Sequence, residues 1–380
     1  MNNLTNKNIL NNKRKRIPIN NKDNFSSSSI TNESTISAIN IIKDYNKQLF
    51  KKNPNLKFQQ DIITTNDIKG FNDLFEVYIS IRDNNPYLIS PNSITYNIDI
   101  ILLNNNKLIR SLEGHKNNIT TVRYFSNNLN EYLISADINS IVIIWDISND
   151  NIEKYKLKLK YSNWIYSCLL FFNDYMYIFT SCCGIGNTKV YILDNNKINF
   201  LKNINNSKNN NTYYLLSWYN EKNKKYYIIE FCKNKIVITN IYNNKLYKNL
   251  IAENNKEFFY MNGFIYNSYL FACSTNGYIN IWDIYEKKLI NSILIYKCLL
   301  NNFIHWNEKY IILVDGNKNS MIIFDLSQSV VISNISSQHE NGILSIKKII
   351  HPTYGESLNQ NFLLLILKKN SPFLLEYLLF

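Results

Sequence analysis

The 380-residue chain holds 67 Asn and 37 Lys but only five Arg and nine Gly, with a formal net charge of +13. That bias towards Asn, Lys, Ile and Tyr reads as AT-rich coding, so the lysine excess alone does not argue for an acidic or nucleic-acid partner. The length admits two average domains or one large closed β architecture. The polar start, the absence of any run near the roughly 18 apolar residues of a membrane helix, and cysteines without CxxC spacing argue against secretion, membrane insertion and a disulfide framework.

The expected setting is therefore intracellular, cytoplasmic or nuclear. The six cysteines (Cys168, Cys182, Cys183, Cys232, Cys273, Cys298) mostly sit inside apolar runs and read as small core residues of a reducing compartment.

Residues 1–55 lack sustained periodicity and are dominated by Asn, Lys and Ser. A segment that buries so little apolar surface is expected to be a disordered tail, with a short helix at 41–50 its one candidate element. Within it, Lys13, Arg14, Lys15 and Arg16 hold two of the five arginines, which codon bias explains less easily than lysines elsewhere. The cluster reads as an import signal or nucleic-acid contact, against the plain alternative of a solvated tail.

From residue 56 to 380 the chain turns to short β-rich runs cut by Asn, Asp, Lys or Gly. KFQQDIIT (57–64) is a weak strand, followed by FEVYISI, PYLIS and ITYNIDI. The stretch 112–147 opens on Gly114-His115 and closes on Trp145-Asp146, with IVIIW nearly continuous in its apolar residues, as a strand buried on both faces requires. KYKLKLKY then alternates Lys154, Lys156, Lys158 and Lys160 with Tyr155, Leu157, Leu159 and Tyr161. One packed face and one charged face mark an outer edge strand protected against edge-to-edge pairing. Farther along, strand endings recur at Asp99, Asp146, Asp194, Asn240, Asp283, Asp325 and Glu376, spaced by 47, 48, 46, 43, 42 and 51 residues. A period of that size, with several strands per unit and hardly any helical pattern, indicates a blade repeat.

Gly114-His115 followed by Trp145-Asp146, together with STNGYINIWD at 274–283, resembles the WD40 repeat of β-propellers. The resemblance implies an all-β, seven-bladed WD40-like propeller over about residues 57–380, behind the tail. It also implies a hydrogen-bonded brace in each blade. In the unit at 112–147 the matching residues are His115, Ser135 and Trp145, with Asn139 at the position of the family's Asp. In the unit ending at Trp282-Asp283, Ala272 takes the Ser position and Asn276 the Asp position, and bracing is expected to be mostly packing. QHENGILSI aligns with GHKNNITTV, which makes His339 the counterpart of His115. The ring is expected to close by a shared blade, with 57–64 as the outer strand of the last unit.

No metal or cofactor motif is visible, and neither GxSxG, a P-loop nor GxGxxG is present. His305 beside Trp306, with Asp315 nearby, reads as a strand-end aromatic cluster and not as a triad, which needs a placed nucleophile and oxyanion donors. Only Arg82, Arg110 and Arg123 fall in the ring, leaving a sialidase-like carboxylate site little support. The lipid-binding paired-arginine motif is absent. Ser148 and Tyr285 replace the Arg of a Trp-Asp-x-Arg motif. The 28 tyrosines read as strand propensity and codon usage. The expectation is thus a non-catalytic scaffold binding protein or peptide partners on a propeller face; the alternative is a subunit of an RNA-containing assembly with direct RNA contacts.

Overall fold

Apolar runs joined by short Asn-rich turns pair most readily with their neighbours in sequence, because closing a short loop costs least, and antiparallel hairpins of strands four to nine residues long are the result. The computed structural model describes residues 75–379, apart from several internal segments of which 351–361 is the longest. The first blade consists of β1 (Glu76–Ile79), β2 (Pro86–Pro91), β3 (Ile98–Leu102) and β4 (Lys107–Leu112). The second holds β5 (Ile119–Ser126), β6 (Glu131–Asp137), β7 (Ile141–Asp146) and β8 (Glu153–Lys158). In the third are β9 (Ile165–Phe172), β10 (Met176–Cys182), β11 (Thr188–Asp194) and β12 (Lys197–Ile204). The fourth comprises β13 (Thr212–Asn220), β14 (Lys225–Cys232), β15 (Ile236–Asn240) and β16 (Leu246–Leu250). Next come β17 (Tyr260–Tyr266), β18 (Tyr269–Ser274), β19 (Tyr278–Asp283) and β20 (Lys288–Leu294). The sixth blade is β21 (Leu300–His305), β22 (Tyr310–Asp315), β23 (Ser320–Asp325) and β24 (Val330–Ser336). A last sheet holds β25 (Ile343–Ile350), β26 (Phe362–Lys368) and β27 (Leu374–Leu379).

Every sheet is an antiparallel meander, and the first strand of each lies innermost. Around the axis β1 packs on β5, β5 on β9, β9 on β13, β13 on β17, β17 on β21, β21 on β25, and β25 back on β1. The ring is closed. Lys347 of β25 and Glu76 of β1 pair across the closure at 3.4 Å.

The propeller fold stands, but the expected seven blades need correction. Six complete four-stranded blades form, and the last sheet has three strands among the described residues. The sequence count rested on third-strand endings, and a third strand does not bring a fourth with it. The strand proposed for that place, 57–64, lies outside the described residues. So do the tail at 1–55, the helix at 41–50, Lys13 to Arg16, His339 and His351.

Two of the endings that set the count also fall elsewhere. Asp146, Asp194, Asn240, Asp283 and Asp325 do terminate third strands. Asp99 and Glu376 lie inside β3 and β27. Tyr132 stands opposite Asp146, whereas Tyr87 stands opposite Leu102, so Asp99 is three residues out of register. Where the ending holds, its cause is a turn: Asn240 Oδ1 accepts from the N–H of Tyr242 and Asn243, Asp283 Oδ1 from Tyr285 and Glu286, and Asp325 Oδ1 from Ser327 and Gln328. An Asx side chain of this kind mimics a backbone turn into the fourth strand. Asparagine also takes over from glycine in left-handed backbone: Asn84, Asn195, Asn196, Asn234, Asn244 and Asn267 have φ between 47° and 61°.

The core is a series of layers between adjacent blades. Tyr78, Ile89, Ile98, Ile100 and Leu112 of the first blade meet Val122, Leu133, Ile143 and Trp145 of the second. The opposite face of the second blade, Ile134, Ala136, Val142 and Ile144, meets Ile165, Cys168 and Ile178 of the third. The near-continuous apolar runs follow from this, since each central strand is buried on both sides. Cys168, Cys182, Cys232 and Cys273 are buried and not joined in disulfides. Cys183 and Cys298 lie outside the described residues. Among the described residues no helix is long and apolar enough to cross a membrane.

Beside the closure, Lys348 of β25 is half-buried and its Nζ donates to His305 O of β21 at 3.4 Å. Burial pushes its ammonium down to about 8. Because this value is below the unfolded one, the unfolded chain binds more protons between about pH 8 and 10.4, and stability from this group rises with pH across that window. Below pH 8 the full cost of burying the charge is present. Lys348→Met should therefore be more stable than the parent at pH 7, by about 1 kcal/mol after allowing for the water that still screens the amine. Denaturation midpoints at pH 7 and pH 9.5 check this; a gap of equal size at both would show that the charge is not the cause.

Candidate functional site

The layer between the first two blades ends in two different polar structures. The upper end carries the β4–β5 and β6–β7 connections; the lower end carries the β1–β2, β3–β4, β5–β6 and β7–β8 connections.

At the upper end lies the predicted brace. Trp145 Nε1 donates to Ser135 Oγ at 2.9 Å, Ser135 Oγ lies 2.7 Å from His115 Nε2, and His115 Nδ1 lies 3.1 Å from Asp137 Oδ2. A carboxylate at Asp137 only accepts, so the Nδ1–H of His115 donates to it, and in that tautomer Nε2 accepts a hydrogen bond from the Ser135 hydroxyl. The carboxylate is thus Asp137 and not Asn139, whose backbone N–H donates to Asp137 Oδ1 at 3.0 Å. Lys154 Nζ and Lys156 Nζ of the edge strand donate to the carbonyls of Glu113 and Gly114 and hold the loop in place. A Cβ on Gly114 would stand 2.8 Å from Trp145 Cη2, which explains glycine before the histidine.

Serine, histidine and aspartate are here spaced as in a hydrolytic triad, but Ser135 and Asp137 are fully buried and His115 is 6% exposed. The hydroxyl already accepts the indole N–H, and no substrate reaches it. The arrangement is a cross-link between β6, β7 and the preceding loop.

The fifth blade uses other atoms. Leu270 pairs with Trp282 as Leu133 does with Trp145, which puts Ala272 opposite Asn280 and gives the place of Asp137 to Ser274, not Asn276. Ser274 Oγ donates to Asn276 Oδ1 at 2.6 Å. Trp282 is buried edge-on against Tyr260, whose hydroxyl accepts from Asn280 Nδ2 at 3.0 Å. His305 and Asp315 stand at opposite ends of their hairpin, opposite Ile311 and Leu300, and form no pair with each other; Trp306 is outside the described residues.

At the lower end the layer opens into a cavity of about 340 Å³ lined by Tyr78, Arg82, Tyr87, Ile109, Arg110 and Glu131, among others. The volume falls at the small end of the range for ligand pockets. Glu131 opens β6 and is 2% exposed. Its Oε1 accepts from Ile81 N and from the Tyr124 hydroxyl, both at 2.9 Å, and its Oε2 from Ser80 Oγ at 3.2 Å. Its backbone is fixed by Ser148, whose Oγ accepts from Glu131 N at 2.8 Å and is itself held by Asp146 Oδ1 at 2.5 Å. Asp146 therefore positions a wall of the cavity as well as capping a turn.

Arg82 and Arg110 reach over from the first blade to the end of β7: Arg82 Nη1 lies 3.5 Å from Ile147 O and Arg110 Nη1 2.9 Å from Asn149 O. Asp83 accepts from Asn85 N at 3.0 Å and from the Tyr87 hydroxyl at 2.6 Å. Burial opposes its ionisation, but the hydrogen bonds from Tyr87 and Asn85 outweigh this and leave its pKa below the ordinary value. Burial, then the bond to Asp83, pushes Tyr87 up to about 12, and burial raises Tyr78 and Tyr124 further. All three phenols are protonated at neutral pH, and those of Tyr87 and Tyr124 donate to Asp83 and Glu131. Tyr124 stacks on Tyr78 with centroids 4.0 Å apart, and Tyr78 on Tyr87 at 5.4 Å.

Of these cavity residues, only Arg82 and Arg110 drew notice in the sequence, where they gave a sialidase-like carboxylate site little support. A usable signal existed: in a chain with five arginines, the scarcity that drew attention to Arg14 and Arg16 applies equally to Arg82 and Arg110.

A closed ring of antiparallel meanders defines a β-propeller. Residues 106–146, from β4 of the first blade through β7 of the second, match the family model of the WD domain, G-beta repeat (WD40). A search of curated proteins found no match to the chain. The matched unit is offset from the blade by one strand, so a single repeat contributes Ile109, Arg110 and Glu131 to the cavity and His115, Ser135, Asp137 and Trp145 to the brace. WD40 propellers commonly act as protein-interaction scaffolds and are generally non-catalytic.

Proposed function

We propose that this chain is a non-catalytic scaffold that holds a protein or peptide partner on its lower face, over the cavity between the first two blades. The observation that carries the reading is the company the cavity keeps. Around its mouth or on the same face stand Ile81, Leu108, Ile109 and Leu129, which are 48%, 53%, 39% and 83% exposed. Arginine and tyrosine are enriched in binding hot spots, and exposed aliphatic residues beside a cavity form the kind of apolar patch that marks an interaction site. Strand ends of a closed ring hold such a surface rigidly, which lowers the entropy lost on binding.

A photo-crosslinking amino acid at Leu129 should trap a defined partner in the native cell, and Ile81→Asp in the same chain should abolish the adduct. The same crosslinker at Lys116, exposed on the upper face, serves as the comparison. An adduct forming equally well from Lys116, or surviving Ile81→Asp, would place the partner elsewhere.

A further inference from the structure

Tyrosines gather at the lower end of the layer between the third and fourth blades. In β13 and β14 successive side chains face opposite blades, so Trp218 and Tyr227 join the core shared with the fifth blade while Tyr226, with Tyr219 beside it, faces the third. Phe171 of β9 lies beneath them, its ring centroid 4.7 Å from Tyr226 and 6.0 Å from Tyr177. Tyr219 stands 4.6 Å from Tyr226. Tyr175 comes from the β9–β10 turn and Tyr242 from the β15–β16 turn. Burial, then the Asp174 carboxylate, raises the Tyr177 phenol above its ordinary value; burial, then the phenols of Tyr177 and Tyr226 and the Asp174 charge, raises Tyr242. Both turns therefore lie over one patch. Tyr175, Tyr219 and Tyr242 are 50%, 38% and 46% exposed, so their rings meet solvent side by side, unlike the scattered apolar residues of an ordinary surface.

The polar chemistry of this patch is one-sided. Among the described residues, no hydroxyl of Tyr175, Tyr177, Tyr219, Tyr226 or Tyr242 donates to a protein group. Each offers a donor next to an apolar ring. Asp174 is exposed and accepts from Asn173 Nδ2 at 3.3 Å. Lys202, which reaches the Tyr242 turn, is engaged by the carbonyls of Ile241 and Tyr242. Lys222 lies with its Nζ 4.4 Å over Tyr285, in the neighbouring layer. Lys224 and Lys225 stand at the fourth-blade margin, so negative charge marks the third-blade side and positive charge the other.

We propose that this tyrosine patch binds a proline-rich segment of a partner protein in the polyproline II conformation, with a basic residue of that segment at Asp174. Proline matches the patch twice. Its ring is apolar and packs on a tyrosine face, and without an N–H it brings no donor for which the phenols must find an acceptor. A polyproline II chain has no internal hydrogen bonds, so its carbonyls are open to phenol donors. A β-strand ligand needs a free sheet edge, whereas the lower end presents strand ends and turns. A nucleobase also stacks on tyrosine, but its phosphates would meet the Asp174 charge. The patch lies two layers round the ring from the cavity between the first two blades, so it is a second contact that stands or falls separately.

The test uses the full chain and fluorescein-labelled peptides of equal length, read by anisotropy: a proline run followed by two arginines, the same run followed by two glutamates, and a Gly-Ser run followed by two arginines. Labelled oligouridylate is the fourth probe. The Pro-Arg peptide should bind at least tenfold more tightly than the Gly-Ser-Arg peptide and several-fold more tightly than Pro-Glu. Tyr175→Ala with Tyr242→Ala should weaken Pro-Arg binding at least tenfold while the melting temperature stays within about 2 °C, since both residues are exposed. Tyr175→Phe with Tyr242→Phe should lose part of it, because the rings remain and the donors do not. Asp174→Asn should erase the preference for arginine over glutamate. Tyr269→Ala, at an exposed tyrosine of the fifth blade, should bind as the parent does. Equal binding of Pro-Arg and Gly-Ser-Arg, the same loss from Tyr269→Ala, tightest binding of oligouridylate, or no saturable binding of either proline peptide overturns the proposal. In that event a Leu129 adduct lost on Ile81→Asp would leave the scaffold reading standing.

Discussion

Trp145→Ala is expected to lower stability by about 3–5 kcal/mol and to broaden or split the unfolding transition. Trp145 is 1% exposed and among the largest buried side chains, so truncation leaves a cavity in the layer between the first two blades. It also removes the indole N–H from Ser135, which holds His115 and through it Asp137. Because the cavity below shares this layer, the damage should reach its walls: Ile147, which follows β7 by one residue, supports both the core and the Arg82 contact. Trp145→Phe keeps most of the packing and loses the hydrogen bond, so it should cost roughly half as much. Chemical denaturation measures both, and an unchanged midpoint for the alanine variant would remove Trp145 from the brace.

A second large loss, about 3 kcal/mol, is expected for Arg123→Met. Arg123 lies on β5 and is 9% exposed. Its Nη1 donates to Cys168 O of β9 at 3.2 Å and to Leu215 O of β13 at 2.9 Å. The guanidinium also sits over Phe125 and Tyr214, 5.3 and 5.2 Å from the ring centroids. One side chain thus ties three successive blades, which is geometrically feasible only near the axis, where the inner strands converge. Methionine keeps an apolar stem of similar length and gives up both charge-assisted hydrogen bonds and the cation–π contacts. Arg123→Lys should recover less than half of the loss, because a point charge does not reproduce the planar stacking. Equal melting of parent and methionine variant would show that the strap contributes nothing.

The sequence alone determined whatever depends on neighbours along the chain. Doubly buried strands announced themselves as near-continuous apolar runs, and β8 as an alternation of Lys with Tyr and Leu, because strand periodicity is local. The recurring Asp was legible because an Asx turn is built within four residues. His115, Ser135 and Trp145 were legible because a family resemblance fixes their spacing. Their fourth partner was not. Asp137 and Asn139 flank the same turn, and only the backbone path decides which one returns to a histidine 22 residues earlier. The same limit governed the blade count and Asp99, since register is set by pairing between strands and not by the strand's own residues. The cavity was out of reach for a deeper reason. Arg82, Arg110, Glu131 and Ile147 come from four separate segments, and only the packing of the first blade on the second places their polar groups around one space.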